Sequence, residues 1–332
     1  MAEALWFTAP KTVELRSEPV PAPAAGQICV RALCGLVSAG TEMNMYRGQG
    51  NLPDIGLIPN AEGSLPFPVK FGYQEVGEIE AVGPGSQFAV GDRVFCMHPH
   101  QSRFTLAEQF AFRIPPDLPS QKAVFAGLFW VGLNTVITTP PLVGDCVVVS
   151  GLGVVGSMAA YLANLTAASL VLIDPNAERR RRAAWIGADA VVHPDEASAA
   201  VAEFSGNRGA DLFIEASGAV SALQQALQLT GMEGTITVTS WYGTRPVELV
   251  LSPEFHLRNQ RIVSTGPSMP SHLAPRWDMN RAREVSWRHL ARLDVAEYLV
   301  SHRVPFSDAG EAYRLIDDHD TETLAVLLEH RS

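Results

Sequence analysis

Three glycines, Gly151, Gly153 and Gly156, follow directly on the β-branched run Val147-Val148-Val149 and open an apolar segment. Strand, glycine turn and helix in that order suit a pyrophosphate. The first glycine lets the chain turn sharply, the second lets a pyrophosphate approach the backbone, and the third lets the helix pack on the strand. Free N–H groups at the helix start, at Val154 and Val155, add partial positive charge. A second apolar run, Leu170-Val171-Leu172-Ile173, ends at Asp174. An acid there accepts hydrogen bonds from both hydroxyls of an adenosine ribose and repels a 2′-phosphate, so NAD(H) is expected rather than NADP. The competing signal is Arg179-Arg180-Arg181-Arg182, otherwise a solvated helix face. Arg179 is the member placed to reach the ribose or its phosphate.

A second candidate is His98-Pro99-His100. Histidines two apart can point to one side of an extended strand, where they could bind a metal or serve as a general base near neutrality. The plainer reading is a proline-containing loop whose histidines hydrogen-bond locally or face a pocket. The four cysteines, Cys29, Cys34, Cys96 and Cys146, have no paired spacing and read as reduced thiols in cores.

The elements that position these residues change along the chain. The first third is β-rich, with short apolar runs such as 28–32 and 77–82 bounded by proline and glycine. Helical spacing covers 122–137. Strands are then expected near 147–150, 170–174, 190–192, 211–216, 235–240 and 261–265, with helices at 153–166, 176–187, 196–205 and 219–230. Six strands with such crossovers describe a doubly wound parallel sheet of the Rossmann kind. An amphipathic helix near 279–293 and an αβ tail follow, and the tail is expected to return and complete the first domain.

With 332 residues, 47% of them apolar and 18% charged, the chain suits two globular domains. A net charge of −10 argues against nucleic acid. The N-terminus lacks the charged and apolar regions of a signal peptide, so the cytoplasm is expected. Residues 146–173 carry no charge, but the glycine turn within them argues for a buried strand-helix-strand rather than a membrane span.

Over essentially its whole length the chain resembles the medium-chain dehydrogenase/reductase superfamily, the alcohol and polyol dehydrogenases. The marks are the run from Cys34 to Glu42, Gly72-Tyr73-Gln74-Glu75-Val76-Gly77, Val82-Gly83-Pro84-Gly85, Gly91-Asp92-Arg93-Val94, the glycine turn with Asp174, Gly187-Ala188-Asp189-Ala190, and Asp211 to Gly218. Ser38 to Glu42 and Trp241-Tyr242-Gly243 resemble a branch that includes bacteriochlorophyllide dehydrogenase-like proteins. The resemblance implies a Rossmann domain at 120–266 and a discontinuous GroES-like substrate domain, 1–119 plus 267–332, with the active site in the cleft between them. It implies that Ser217 and Trp241 lie along the cofactor, and that strand 261–265 pairs with its mate in a homodimer or homotetramer.

Zinc members of the superfamily hold their catalytic metal with a cysteine, a histidine, and a cysteine or glutamate. By the resemblance Ser38, Tyr73 and Gly127 stand at those positions, and none offers a ligand that Zn²⁺ prefers, so a zinc-free protein is expected. Without a metal, hydrogen-bond donors and a base must handle the alcohol proton. The candidates are Ser38, Thr41 (the relay hydroxyl of the zinc enzymes), Tyr73, His98 and His100. Glu42 matches an acidic position behind the metal, Tyr46 and Trp130 are candidate pocket walls, and Trp241 and Tyr242 could wall the nicotinamide or the substrate. The polar stretch from Pro267 to Arg283 is either a substrate-side loop or a solvated surface loop. The expected activity interconverts a primary or secondary alcohol and a ketone or aldehyde on a small organic molecule with NAD(H). The alternatives are an NAD(P)H-dependent enoyl or quinone reductase and a non-catalytic NAD-binding protein.

Overall fold

The structure is a computed structural model and describes residues 1–50, 60–266, 268–318 and 322–330. Pro267, the first residue of the polar stretch, lies outside the described residues. The chain divides into two compact units, 1–127 with 283–332, and 128–282. The expected borders at 119/120 and 266/267 both fall earlier. Ser120–Ala123 forms a short helix on the strands Gln27–Leu36 and Glu75–Val82 of the first unit. Residues past 266 stay with the second unit because Asn134 Nδ2 donates to the carbonyls of Gly266 (2.6 Å) and Ser268 (3.2 Å).

The second unit is a six-stranded parallel sheet in the order Ala190–Val192, Ser169–Ile173, Cys146–Ser150, Ala210–Glu215, Thr230–Val238, Arg261–Ser264. This is the doubly wound Rossmann order, and the direction of winding reverses between Cys146–Ser150 and Ala210–Glu215. Helices cover both faces, so the central strands are apolar without interruption. Val148, Val171, Ile173, Phe213 and Ile236 pack on one face with residues of the helices Ala197–Ser205 and Val220–Leu229. Val147, Val149, Leu170, Leu172, Leu212 and Ile214 point to the other, against Ala159, Ala160 and Ala163 of the helix Val154–Asn164. The charge-free segment 146–173 is thus a buried strand-helix-strand, and no helix among the described residues is long and apolar enough to cross a membrane.

Some elements differ in extent from their sequence expectations. The helix expected over 122–137 is two, Ser120–Ala123 and Ala126–Thr138, separated by a tight turn in which Phe125 N–H donates to Lys122 O. The segment 176–187 is an α-helix, Ala177–Arg182, finished by a 3₁₀ turn that Gly187 ends at φ +72°.

The first unit carries mostly antiparallel strands. One sheet of seven centres on Gln27–Leu36, which pairs with Glu75–Val82, with Arg103–Ala107 and with the tail strand Ala325–Glu329. The tail therefore returns to complete the first sheet, as its size suggested. A four-stranded sheet holds Ala2–Ala9 and Thr12–Glu18. All four cysteines are buried and unpaired.

Candidate active site

The glycine turn is shaped for close approach. Gly151 sits at φ +96°, in the left-handed region, and a Cβ on it would lie 2.5 Å from the Ser217 nitrogen. A Cβ on Gly156 would run into the Gly151 carbonyl oxygen. Gly153 instead faces open space, with no atom within 4 Å of where its Cβ would be. The helix Val154–Asn164 starts immediately after it, and no side chain caps it. Its first N–H groups, Val154 and Val155 among them, therefore stand available to an anion.

Asp174 is buried beside this turn. Its Oδ2 accepts the Leu152 N–H at 2.7 Å and its Oδ1 accepts the Asn176 N–H at 2.8 Å. Each carboxylate oxygen keeps a lone pair for a ribose hydroxyl. The open Gly153, the uncapped helix and the fixed acid fit a dinucleotide. Of the arginine run, Arg180 reaches the backbone at the acid. Arg180 Nη1 donates to Asp174 O (2.7 Å) and Pro175 O (2.9 Å), while Arg179 is half-buried on the same helix.

Ser217 is exposed and held by an acid that sequence reading did not single out. Glu215 Oε1 accepts from Ser217 Oγ (2.6 Å), Ser217 N (2.7 Å) and Gly218 N (2.9 Å), and Glu215 Oε2 accepts from Tyr242 Oη at 2.9 Å. Its signal was a carboxylate ending the apolar run Leu212-Phe213-Ile214, where only a partner-rich site tolerates burial. Trp241, next to Tyr242, is half-buried, and Trp130 is buried in the helix Ala126–Thr138.

In the first unit Ser38, Thr41 and Tyr73 come together. Tyr73 Oη donates to Ser38 Oγ at 2.6 Å and also hydrogen-bonds the Thr41 side chain. Ser38 is buried, whereas Thr41 and Tyr73 are half-buried. Desolvation pushes the Tyr73 phenol up to about 12, against the Ser38 hydrogen bond, which acts downward. The phenol is thus a proton donor at neutral pH.

Ser38, Tyr73 and Gly127, which the resemblance sets at the family's metal positions, do not make a donor set that suits zinc. Ser38 and Tyr73 offer hydroxyls already bonded to each other. Gly127 is covered by Gln74, whose Oε1 lies 2.7 Å from where a Gly127 Cβ would be. Zn²⁺ prefers thiolate, imidazole or carboxylate. Among the described residues no cluster of three His, Cys, Asp or Glu side chains could hold a metal ion.

Both histidines of the 98–100 segment lie buried in the core of the first unit, which corrects their candidacy as a general base. His98 is 2% exposed, stacks on Phe104 at 3.8 Å and meets its neighbour's carbonyl, Pro99 O, at 2.7 Å. Burial pushes it down to about 3. His100 has no exposure and lies between two buried carboxylates, with Nε2 3.1 Å from Glu42 Oε2 and Nδ1 2.5 Å from Glu75 Oε1. Burial alone would lower it, but Glu42 and Glu75 outweigh that and raise it to about 10. Tyr46 is likewise core, 2% exposed, with its ring against Phe7 and Tyr313.

Glu75, Tyr313 and His330 escaped sequence reading. Glu75 had a signal: by strand alternation it shares a face with Ile79, opposite Glu78 and Glu80, so its carboxylate points inward. Tyr313 and His330 had none, since only the returning tail brings them near.

Residues 154–278 match the family described as zinc-binding dehydrogenase. Across its length the chain is similar to D-guloside 3-dehydrogenase of Escherichia coli K12, 29% identical over 96% of this chain and 97% of that protein. It is 25% identical to 5-exo-hydroxycamphor dehydrogenase of Pseudomonas putida over 92% of each chain. Its fold matches the crystal structure of 2R,3R-butanediol dehydrogenase from Bacillus subtilis with a TM-score of 0.80, at 19% identity over 99% of both chains. In sequence the chain is similar to these dehydrogenases, and its fold is the one it shares with the butanediol enzyme.

Proposed function

We propose that this relative of the zinc-binding dehydrogenases is a zinc-independent, NAD(H)-dependent oxidoreductase that interconverts an alcohol and a ketone or aldehyde on a small organic molecule. The observation that carries the reading is the meeting of Ser38, Thr41 and Tyr73, whose hydroxyls bond to one another; the resemblance implies that they stand where the family has metal ligands and relay. The dehydrogenases of guloside, hydroxycamphor and butanediol support the reaction class.

The 151–156 turn and Asp174 would hold the dinucleotide, whose nicotinamide, when bound, accepts or supplies the hydride. The remaining chemistry is the proton. In the reductive direction Tyr73 Oη gives its proton to the substrate oxygen, and the Ser38 and Thr41 hydroxyls stabilise the phenolate left behind. Both hydrogen bonds act to lower the Tyr73 pKa, which is the same stabilisation. In the oxidative direction the same groups run in reverse. Asp174 favours NAD(H), because a 2′-phosphate would meet its buried carboxylate. Trp130 and Trp241 remain candidates for the pocket, whereas Glu42 is fully buried and lies behind it; the assembled form is read as a homodimer or homotetramer.

The test is a screen of candidate alcohols against NAD⁺, read by NADH fluorescence, with metal content measured on the same sample. Turnover by metal-free protein supports the reading. Tight NADH binding with no turnover of any alcohol or carbonyl would overturn it in favour of a non-catalytic NAD-binding protein.

A further inference from the structure

Beneath the three hydroxyls lies a buried set of charged groups that the proposed chemistry does not touch. Glu42, on the short helix Thr41–Tyr46, has no exposed surface. Its Oε1 accepts the Ser38 N–H at 3.0 Å, and its Oε2 meets Tyr313 Oη at 2.6 Å and His100 Nε2 at 3.1 Å. On the other side of the imidazole stands Glu75, also fully buried, with Oε1 at Nδ1 and Oε2 3.3 Å from His330 Nε2. Burying two carboxylates is costly unless a cation is shared between them, and His100 is placed to be that cation.

The backbone makes room for this array at two glycines. A Cβ on Gly35 would lie 2.5 Å from Glu75 Oε1 and 2.8 Å from His100 Nδ1. A Cβ on Gly72 would lie 2.8 Å from His100 Cδ2. Gly72, at φ +129°, is also the residue that leads into Tyr73. The imidazole therefore touches both halves of the hydroxyl cluster. Through Glu42 it reaches the 38–42 turn, which carries Ser38 and Thr41, and through Gly72 it supports the backbone that carries Tyr73.

We propose that His100 is a positioning residue: bridged between Glu42 and Glu75, it locks the 38–42 turn against the Gly72 backbone and so fixes the Ser38 and Thr41 hydroxyls on the Tyr73 phenol. As an account of catalysis this rests on the function proposed above; as an account of geometry it stands alone. The direction of its titration agrees, since the two carboxylates raise the imidazole against the pull of burial. Glu75 in turn is held low, with burial opposed by His330 and His100. The other titratable groups facing the array are Tyr313 from the helix Ala309–Asp317, the thiols of Cys34 and Cys96, and His98, which Lys70 approaches in turn.

Two measurements test it. In the native protein, ¹⁵N NMR of labelled histidine is expected to show His100 with both ring nitrogens protonated at pH 8. A neutral His100 imidazole at that pH would overturn the clamp, and this reading needs no variant that must fold. In His100→Gln, with folding checked by circular dichroism, we expect turnover to fall about 10²-fold at nearly unchanged KM, as misplacement of reacting groups does. The Tyr73 titration, followed by ¹³C-tyrosine NMR, is expected to move by about tenfold in proton concentration. A folded variant with native turnover and a native Tyr73 titration would overturn the proposal. If the native protein turns over no alcohol, the reading of function fails, and the two NMR titrations still decide the clamp.

Discussion

Tyr73 Oη lies 2.6 Å from Ser38 Oγ, although 35 residues separate them in the chain. The pair sets a neutral phenol against an orienting hydroxyl. Tyr73→Phe and Thr41→Val should each lower turnover, by about 10²–10³-fold for loss of one oriented donor in a dry site. NADH affinity should stay nearly constant. Steady-state kinetics beside fluorescence titration check this, and full activity in both variants would remove these residues from the chemistry.

Asp174 is held by the Leu152 and Asn176 amides with lone pairs to spare. The native protein should bind NADH more tightly than NADPH. Asp174→Ala should weaken NADH by about 10- to 100-fold, the worth of hydrogen bonds to a charged acceptor, and narrow the gap between the two. Equal affinities in the native protein would sink the assignment.

Metal content follows from the donors. With Ser38 bonded to Tyr73 and Gln74 covering Gly127, purified protein should carry far less than one zinc per chain, and chelation should leave activity intact. Stoichiometric zinc, lost together with activity in EDTA, would reverse the conclusion.

The two core histidines predict how stability depends on pH. Burial takes His98 from its ordinary 6.5 down to about 3, so its contribution is full above 6.5 and is lost as pH falls towards 3. His100 is raised to about 10, so its contribution is full below 6.5 and is lost as pH rises through about 10. Urea unfolding should therefore show greatest stability near pH 6.5, and His98→Gln should flatten the acid limb. A native curve that is flat from pH 4 to 10 would contradict both placements.

The strand Arg261–Ser264 ends the six-stranded sheet and pairs only with Thr230–Val238 among the described residues, with Ile262 40% exposed. Such an edge invites pairing with a second copy. Light scattering at micromolar concentration should give a dimer or tetramer, and Ile262→Lys should shift it towards monomer. A monomeric native protein would refute the expectation.

The sequence by itself determined what depends on near neighbours. The glycine spacing at 151, 153 and 156, the uninterrupted apolar strands and the acid at 174 each act within one strand-turn-helix-strand unit, so local pattern suffices. A doubly wound parallel sheet followed, because alternating strands and helices with right-handed crossovers leave few alternatives. Only the tertiary structure decided the fate of the polar residues in the first unit. His98 and His100 look alike two positions apart, yet one stacks on Phe104 and the other bridges Glu42 and Glu75. Their difference is set by partners from distant strands and by burial. Charge in a folded protein is governed by what surrounds it, and a tail that returns to place Tyr313 and His330 beside Glu42 and Glu75 leaves no trace in local spacing.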